Sequence, residues 1–156
     1  VANLPYSIAT PLVMESLWTL PACGRWAVMV QREVADRWGA PVGTALYGAP
    51  TVLLALTVRQ TALRPVPPTV FMPRPRVDSA IVAMERIAAA PDPSLRTLVQ
   101  AAFAQRRKTL VNALAAAGWE KGATAHALGT IGMSPSARAQ ELGPDQFTAL
   151  AAALAA

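Results

Sequence analysis

The rhythm of apolar and polar positions changes near residue 90. Before it, short apolar runs alternate with helix-like stretches; after it, the spacing is helical throughout. The opening VANLPYSIATP reads as the end of a strand running into a loop. Thr10 is expected to cap a helix with Pro11 in its first turn, where the missing N–H costs nothing. LVMESLWTL continues that helix until Pro21 and Gly24 stop it. WAVMVQ, residues 26–31, is a short unbroken apolar run, the mark of a buried strand. REVADRW predicts a brief helix ending before Pro41, and residues 40–50 predict a loop punctuated by Gly43, Gly48 and Pro50. Residues 51–58 are apolar and β-branched at both ends, so helix and strand fit equally well. Residues 58–64 and 79–87 read as strands. Pro67, Pro68, Pro73 and Pro75 make the segment between them a stiff, extended loop that cannot pair in a sheet. Helices are expected over 94–104, 105–117, 121–130 and 144–155, with Gly118, Gly129, Gly132 and Gly143 as punctuation.

This pattern divides the chain into an α/β part at 1–88, a linker at 89–93 and a small all-α domain at 94–156. Three or four strands are too few for the covered sheet of a doubly wound domain. A buried strand at 26–31 also needs neighbours on both sides.

Composition narrows the possible chemistry. At 53% hydrophobic and 15% charged, the chain is not of the disordered class. One cysteine, Cys23, excludes a disulfide framework, and one histidine, His126, excludes a histidine-rich metal centre. Neither has a partner in sequence, so no metal site is expected. The net charge of +5 is uneven: residues 59–108 hold nine basic and three acidic side chains, while the segments on either side are neutral or slightly acidic. Such a concentration favours a polyanionic partner, although 12 arginines against 2 lysines also fit a compositional bias. No apolar run reaches the roughly 18 residues of a membrane helix, and no secretory leader pattern is seen. A cytoplasmic, membrane-free setting is the expectation.

Three motifs carry chemistry. Asn3-Leu4-Pro5-Tyr6 stands where open α/β sheets place ligands, at the C-terminal end of a strand. The Asn3 amide oxygen and the Leu4 carbonyl are two acceptors suited to an exocyclic amine; Pro5 stiffens their turn, and Tyr6 offers a face for a planar base. The plain alternative is a strand-end turn. FMPRPRVDSA, residues 71–80, holds Phe71 on a stiff loop, suited to the second face of an extruded base. Arg74 and Arg76, two apart in an extended segment, are placed to follow phosphates; the alternative is a crossover loop with Phe71 in the core. FAQRRKTL, residues 103–110, brings Arg106, Arg107 and Lys108 together at a helix junction, fanned around a helix or partly used in capping.

Taken with MVQREVADRW and Tyr47-Gly48, these motifs resemble the small-subunit ribosomal RNA adenine N6-dimethyltransferase family, the KsgA/RsmA type. The resemblance implies an incomplete Rossmann-like class I methyltransferase sheet, its C-terminal half, followed by a helical rRNA-binding domain. It implies methyl transfer from S-adenosylmethionine to N6 of two adjacent adenosines near the 3′ end of small-subunit rRNA during ribosome biogenesis. By position, Asn3, Leu4, Pro5, Tyr6 and Phe71 would form the catalytic grip, with Asn3 also beside the cofactor. Arg74, Arg76, Arg106, Arg107 and Lys108 would meet RNA. The expected partner is the assembling small ribosomal subunit, bound by a monomeric enzyme. In the family a glycine-rich motif and two acidic cofactor ligands precede NLPY, and none is found in these residues. The chain is therefore expected to be a C-terminal portion, inactive alone. A non-catalytic RNA-binding module and a large-subunit rRNA methyltransferase of the macrolide-resistance type remain as alternatives.

Overall fold

A computed structural model describes residues 1–156. They form two compact units, one of Val1–Ala40 with Leu54–Ala90, the other of Pro41–Leu53 with Pro91–Ala156.

The first unit is built on a four-stranded sheet of β1 (Ala2–Asn3), β2 (Arg25–Gln31), β3 (Val58–Val66) and β4 (Ser79–Arg86), in the order β1-β2-β4-β3. β1 runs parallel to β2, and β4 lies antiparallel between β2 and β3. The register sets Trp26 opposite Met84, Val28 opposite Val82 and Val30 opposite Ala80. All six are buried. Cross-strand partners share a face, so these pairs make one apolar surface. Each large side chain fully buried there contributes about 1.5–3 kcal/mol. Helix α1 (Ala9–Thr19) is tied to that face by Trp26 Nε1, which donates to Ser16 Oγ at 2.9 Å. Helix α2 (Arg32–Trp38) follows β2 directly, with Ala35 and Trp38 buried.

Arg86 closes the end of α1. Its Nη2 donates to the carbonyls of Leu17 and Leu20 at 3.3 and 3.2 Å, and its Nε to that of Cys23 at 2.8 Å. The guanidinium carbon also lies 5.0 Å from the Trp26 ring centre. A helix C-terminus leaves carbonyls without intrahelical donors, and the charged fork supplies them. Beside α1, Val1, Leu4, Leu12, Leu20 and Trp26 help line an apolar groove of about 310 Å³.

Two sequence expectations change in this unit. Thr10 does not cap α1. Ile8 N donates to Pro5 O at 3.1 Å and the turn flows into the helix two residues early, so Thr10 Oγ1 accepts from Trp38 Nε1 at 3.3 Å instead. β3 also runs past residue 64 and includes Pro65, opposite Ala80. An edge strand tolerates a residue without N–H on its open side.

The second unit contains α4 (Pro93–Ala104), α5 (Leu110–Ala115), α6 (Lys121–Thr130) and α7 (Pro144–Ala155), together with residues 41–53. Most of α3 (Ala49–Ala55), the helical outcome of the ambiguous 51–58 segment, also belongs here. Residues 41–53 thus pack with the helices rather than with the sheet that precedes them. Tyr47 explains this. It is 2% exposed, its hydroxyl donates to the Leu142 carbonyl at 2.9 Å, and its ring meets Phe103 edge-on at 5.9 Å. Phe103 in turn lies 5.8 Å from Phe147, which is fully buried. The expected single helix over 105–117 is replaced by a turn at 105–109 and the shorter α5. Thr109 ends the turn by capping α5, its Oγ1 accepting from Asn112 N. Acidic side chains cap α4 and α6. Asp92 takes the Ser94 N–H, and Glu120 takes those of Gly122 and Ala123; the Ser94 side chain and then its N–H hold the Asp92 carboxyl below its ordinary pKa, and the two N–H bonds do the same for Glu120.

Burial of the neutral phenol pushes the Tyr47 pKa from 10.0 up to about 12. The raised value means its contribution is whole below pH 10 and is lost as pH climbs through 12. Tyr47→Phe is expected to lower stability at pH 8 by about 0.5–1.5 kcal/mol through the lost hydrogen bond. Above pH 10 its stability should fall less steeply than that of the unsubstituted protein. Denaturant melts at pH 8 and pH 11 check both.

Candidate active site

The NLPY segment begins at the C-terminal end of β1. Asn3 pairs with Met29 in the parallel ladder, and Leu4 N donates to Met29 O at 3.3 Å. Leu4 is buried and anchors the turn, whereas Asn3 and Pro5 are exposed and Tyr6 is half-buried. The Asn3 side-chain amide and the Leu4 carbonyl receive no hydrogen bond from the chain. Both acceptors are therefore available to a ligand. Tyr6 Oη lies 2.7 Å from Ser79 Oγ, at the first residue of β4.

The loop between β3 and β4 forms the facing wall. A single 3₁₀ turn at Pro68–Val70 leads into Phe71, whose N–H donates to Pro68 O at 3.3 Å. Asn3, Leu4, Pro5, Tyr6, Phe71, Pro73 and Pro75 line one cavity of about 330 Å³. That volume lies at the small end of ligand sites and suits a single nucleobase with part of its sugar. The structure thus brings together the five residues of the proposed grip. Pro73 and Pro75 complete the lining and were expected only to stiffen the loop.

The cations are distributed differently. Arg74 and Arg76 are exposed and free of ion pairs, in a segment of bends and irregular backbone that lies outside any strand. In the helical unit, Arg106, Arg107 and Lys108 lie in the 105–109 turn and do not fan around a helix. Arg106 Nη2 donates to the Ala45 carbonyl at 3.0 Å and ties the turn to the 41–53 segment. Arg107 and Lys108 are exposed and unpaired. His126 is exposed on α6, and Cys23 Sγ contacts the Arg25 carbonyl at 3.3 Å.

A methyl donor such as S-adenosylmethionine needs acceptors for its ribose hydroxyls and a backbone cradle for its amino-acid end. No carboxylate lines the cavity, and no glycine-rich strand–turn–helix occurs among these residues. The lining of this cavity therefore offers aromatic rings and neutral acceptors rather than carboxylates.

A parallel strand ending in NLPY, with a following strand inserted antiparallel beside its neighbour, defines the C-terminal half of a Rossmann-like methyltransferase sheet. Solved structures share this fold. A dimethyladenosine transferase from Plasmodium falciparum superposes with a TM-score of 0.78 at 24% identity, over 96% of this chain and 63% of its own. The 23S rRNA methyltransferase ErmE gives 0.65 at 22% identity, over 99% of this chain and 64% of its own. The family model for ribosomal RNA adenine dimethylase matches residues 1–156, and the chain belongs to that family. Proteins named ribosomal RNA small subunit methyltransferase A are its similar relatives. The one from Kineococcus radiotolerans is 44% identical over 97% of this chain and 52% of its own length. That from Rubrobacter xylanophilus is 46% identical over 96% and 57%. The chain spans about half the length of these relatives.

Proposed function

We propose that these residues form the target-base grip and RNA-binding part of an rRNA adenine N6-dimethyltransferase that acts on small-subunit rRNA in the cytoplasm. The observation that carries this reading is the cavity in which two free acceptors, Asn3 Oδ1 and the Leu4 carbonyl, stand beside the rings of Tyr6 and Phe71. An adenine extruded from its strand stacks between the rings and donates both N6 hydrogens to the two acceptors. Held this way, the amine is drawn toward a tetrahedral nitrogen, and its lone pair is directed away from the acceptors. An alkylated amine is cationic and sheds a proton readily, so no carboxylate base is required. The cofactor expected of the family is S-adenosylmethionine, which would supply the methyl group.

The exposed cations Arg74, Arg76, Arg107 and Lys108 supply phosphate contacts, which position RNA without reading its sequence. Arg106 contributes while tied to Ala45. The relatives' names, ribosomal RNA small subunit methyltransferase A, favour small-subunit rRNA over large-subunit rRNA as substrate.

In the full-length protein carrying these residues, Asn3→Ala is expected to lower kcat for methyl incorporation into small-subunit rRNA by about a hundredfold, with the fold intact. Tyr6→Ala is expected to cost about tenfold or more. Undiminished methylation in either variant would remove the assigned roles; methylation confined to large-subunit rRNA would correct the substrate. Replacing Arg107 and Lys108 together by alanine should reduce the slope of log affinity against log salt by about 1–2, measured by RNA titration at several salt concentrations.

A further inference from the structure

Ser79 is the first residue of β4 and is fully buried. Its backbone is fixed from both sides, by Gln31 of β2 and Val66 of β3. Just before it, the Asp78 carbonyl accepts the Arg32 N–H at 2.9 Å, which pins the same end of the sheet to the start of α2. Ser79 is also the point at which the loop bearing Phe71, Pro73 and Pro75 enters the sheet. Its hydroxyl has one partner in the protein, the Tyr6 hydroxyl at 2.7 Å, 73 residues away in sequence.

This bond joins the two walls of the cavity. The Tyr6 ring is held at its Cα by the NLPY turn and at its far end by a residue that the sheet cannot move. A tyrosine tethered at one end swings about two torsions; one tethered at both ends presents a fixed face. Rotation of Tyr6 out of the cavity would leave a buried hydroxyl on Ser79 without a partner, an unfavourable state that biases the ring inward. No buried side-chain polar atom is left unpaired with the ring in place.

We infer that Ser79 is a positioning residue for the target base: its hydroxyl orients the Tyr6 ring and sets the gap between Tyr6 and Phe71. This rests on the target-base reading of the cavity and extends it to a residue that does not line the cavity. Ser79 touches no substrate atom and acts only through Tyr6.

The test uses the full-length protein with ¹³Cζ-labelled tyrosine, the Tyr6 resonance being identified by its loss in Tyr6→Phe. Ser79→Ala is expected to shift that resonance and leave the Tyr47 resonance in place. In RNA methylation, Ser79→Ala and Tyr6→Phe should each lower kcat by about fivefold, and the double variant should be no slower than either single one. Ser79→Thr, which keeps the hydroxyl, should recover activity to within about twofold. A purely structural serine would instead give factors that multiply in the double variant. Multiplying factors, or an unmoved Tyr6 resonance, would overturn the inference. If the unsubstituted protein methylates no RNA while Ser79→Ala still shifts the resonance, the target-base reading falls and the clamp remains as a structural bond only.

Discussion

The pairing of β4 between β2 and β3 is the constraint on which the first unit depends. Its seven-residue register with β2 runs from Arg25 opposite Glu85 to Gln31 opposite Ser79. That register decides two things at once. It stacks Trp26, Val28 and Val30 against Met84, Val82 and Ala80 as a single apolar face. It also brings the start of β4, and with it the end of the Phe71 loop, to the edge where β1 delivers NLPY. A slip of one residue would turn the alternating side chains over, exposing the apolar set and withdrawing Ser79 from Tyr6. Core and site are therefore consequences of the same strand alignment.

The chemistry follows from what this alignment leaves unused. Most strand-end polar groups are consumed by turns or ladders, as the Leu4 N–H and Pro5 carbonyl are. The Asn3 amide and the Leu4 carbonyl are exceptions. In the proposed reading, two open acceptors next to two aromatic rings would select a flat donor with an exocyclic NH₂, and a cavity without a carboxylate would leave deprotonation to follow bond formation. The free cations outside the cavity add attraction for a phosphate backbone without adding sequence preference.

Much of this was legible in the sequence because it is local. NLPY, the apolar run at 26–31 and the proline-dense loop each mark their place in the fold in a few adjacent residues, and helix α2 has the expected bounds. What was not legible depends on distant partners. Nothing in the 41–53 segment indicates that Tyr47 will reach the Leu142 carbonyl, so the segment's place among the helices was hidden. The run at 105–117 has helical spacing, yet Thr109 caps a new helix by accepting the Asn112 N–H, which leaves the three cations in a turn. Thr10 has the chemistry of a cap but lies beyond a turn that begins the helix early, and Trp38 claims its hydroxyl. Ser79 is the clearest case. A serine at the head of a strand carries no local signal of its role, because that role is defined by Tyr6 across the sheet.

The central claim is that the rings of Tyr6 and Phe71 enclose a single extruded adenine. Its most direct measurement is the set of nuclear Overhauser contacts between the full-length protein and a short single-stranded RNA carrying one adenine labelled at H2 and H8. The account predicts contacts from that base to both rings. Contacts confined to the arginine-bearing segments, with neither ring near the base, would contradict it.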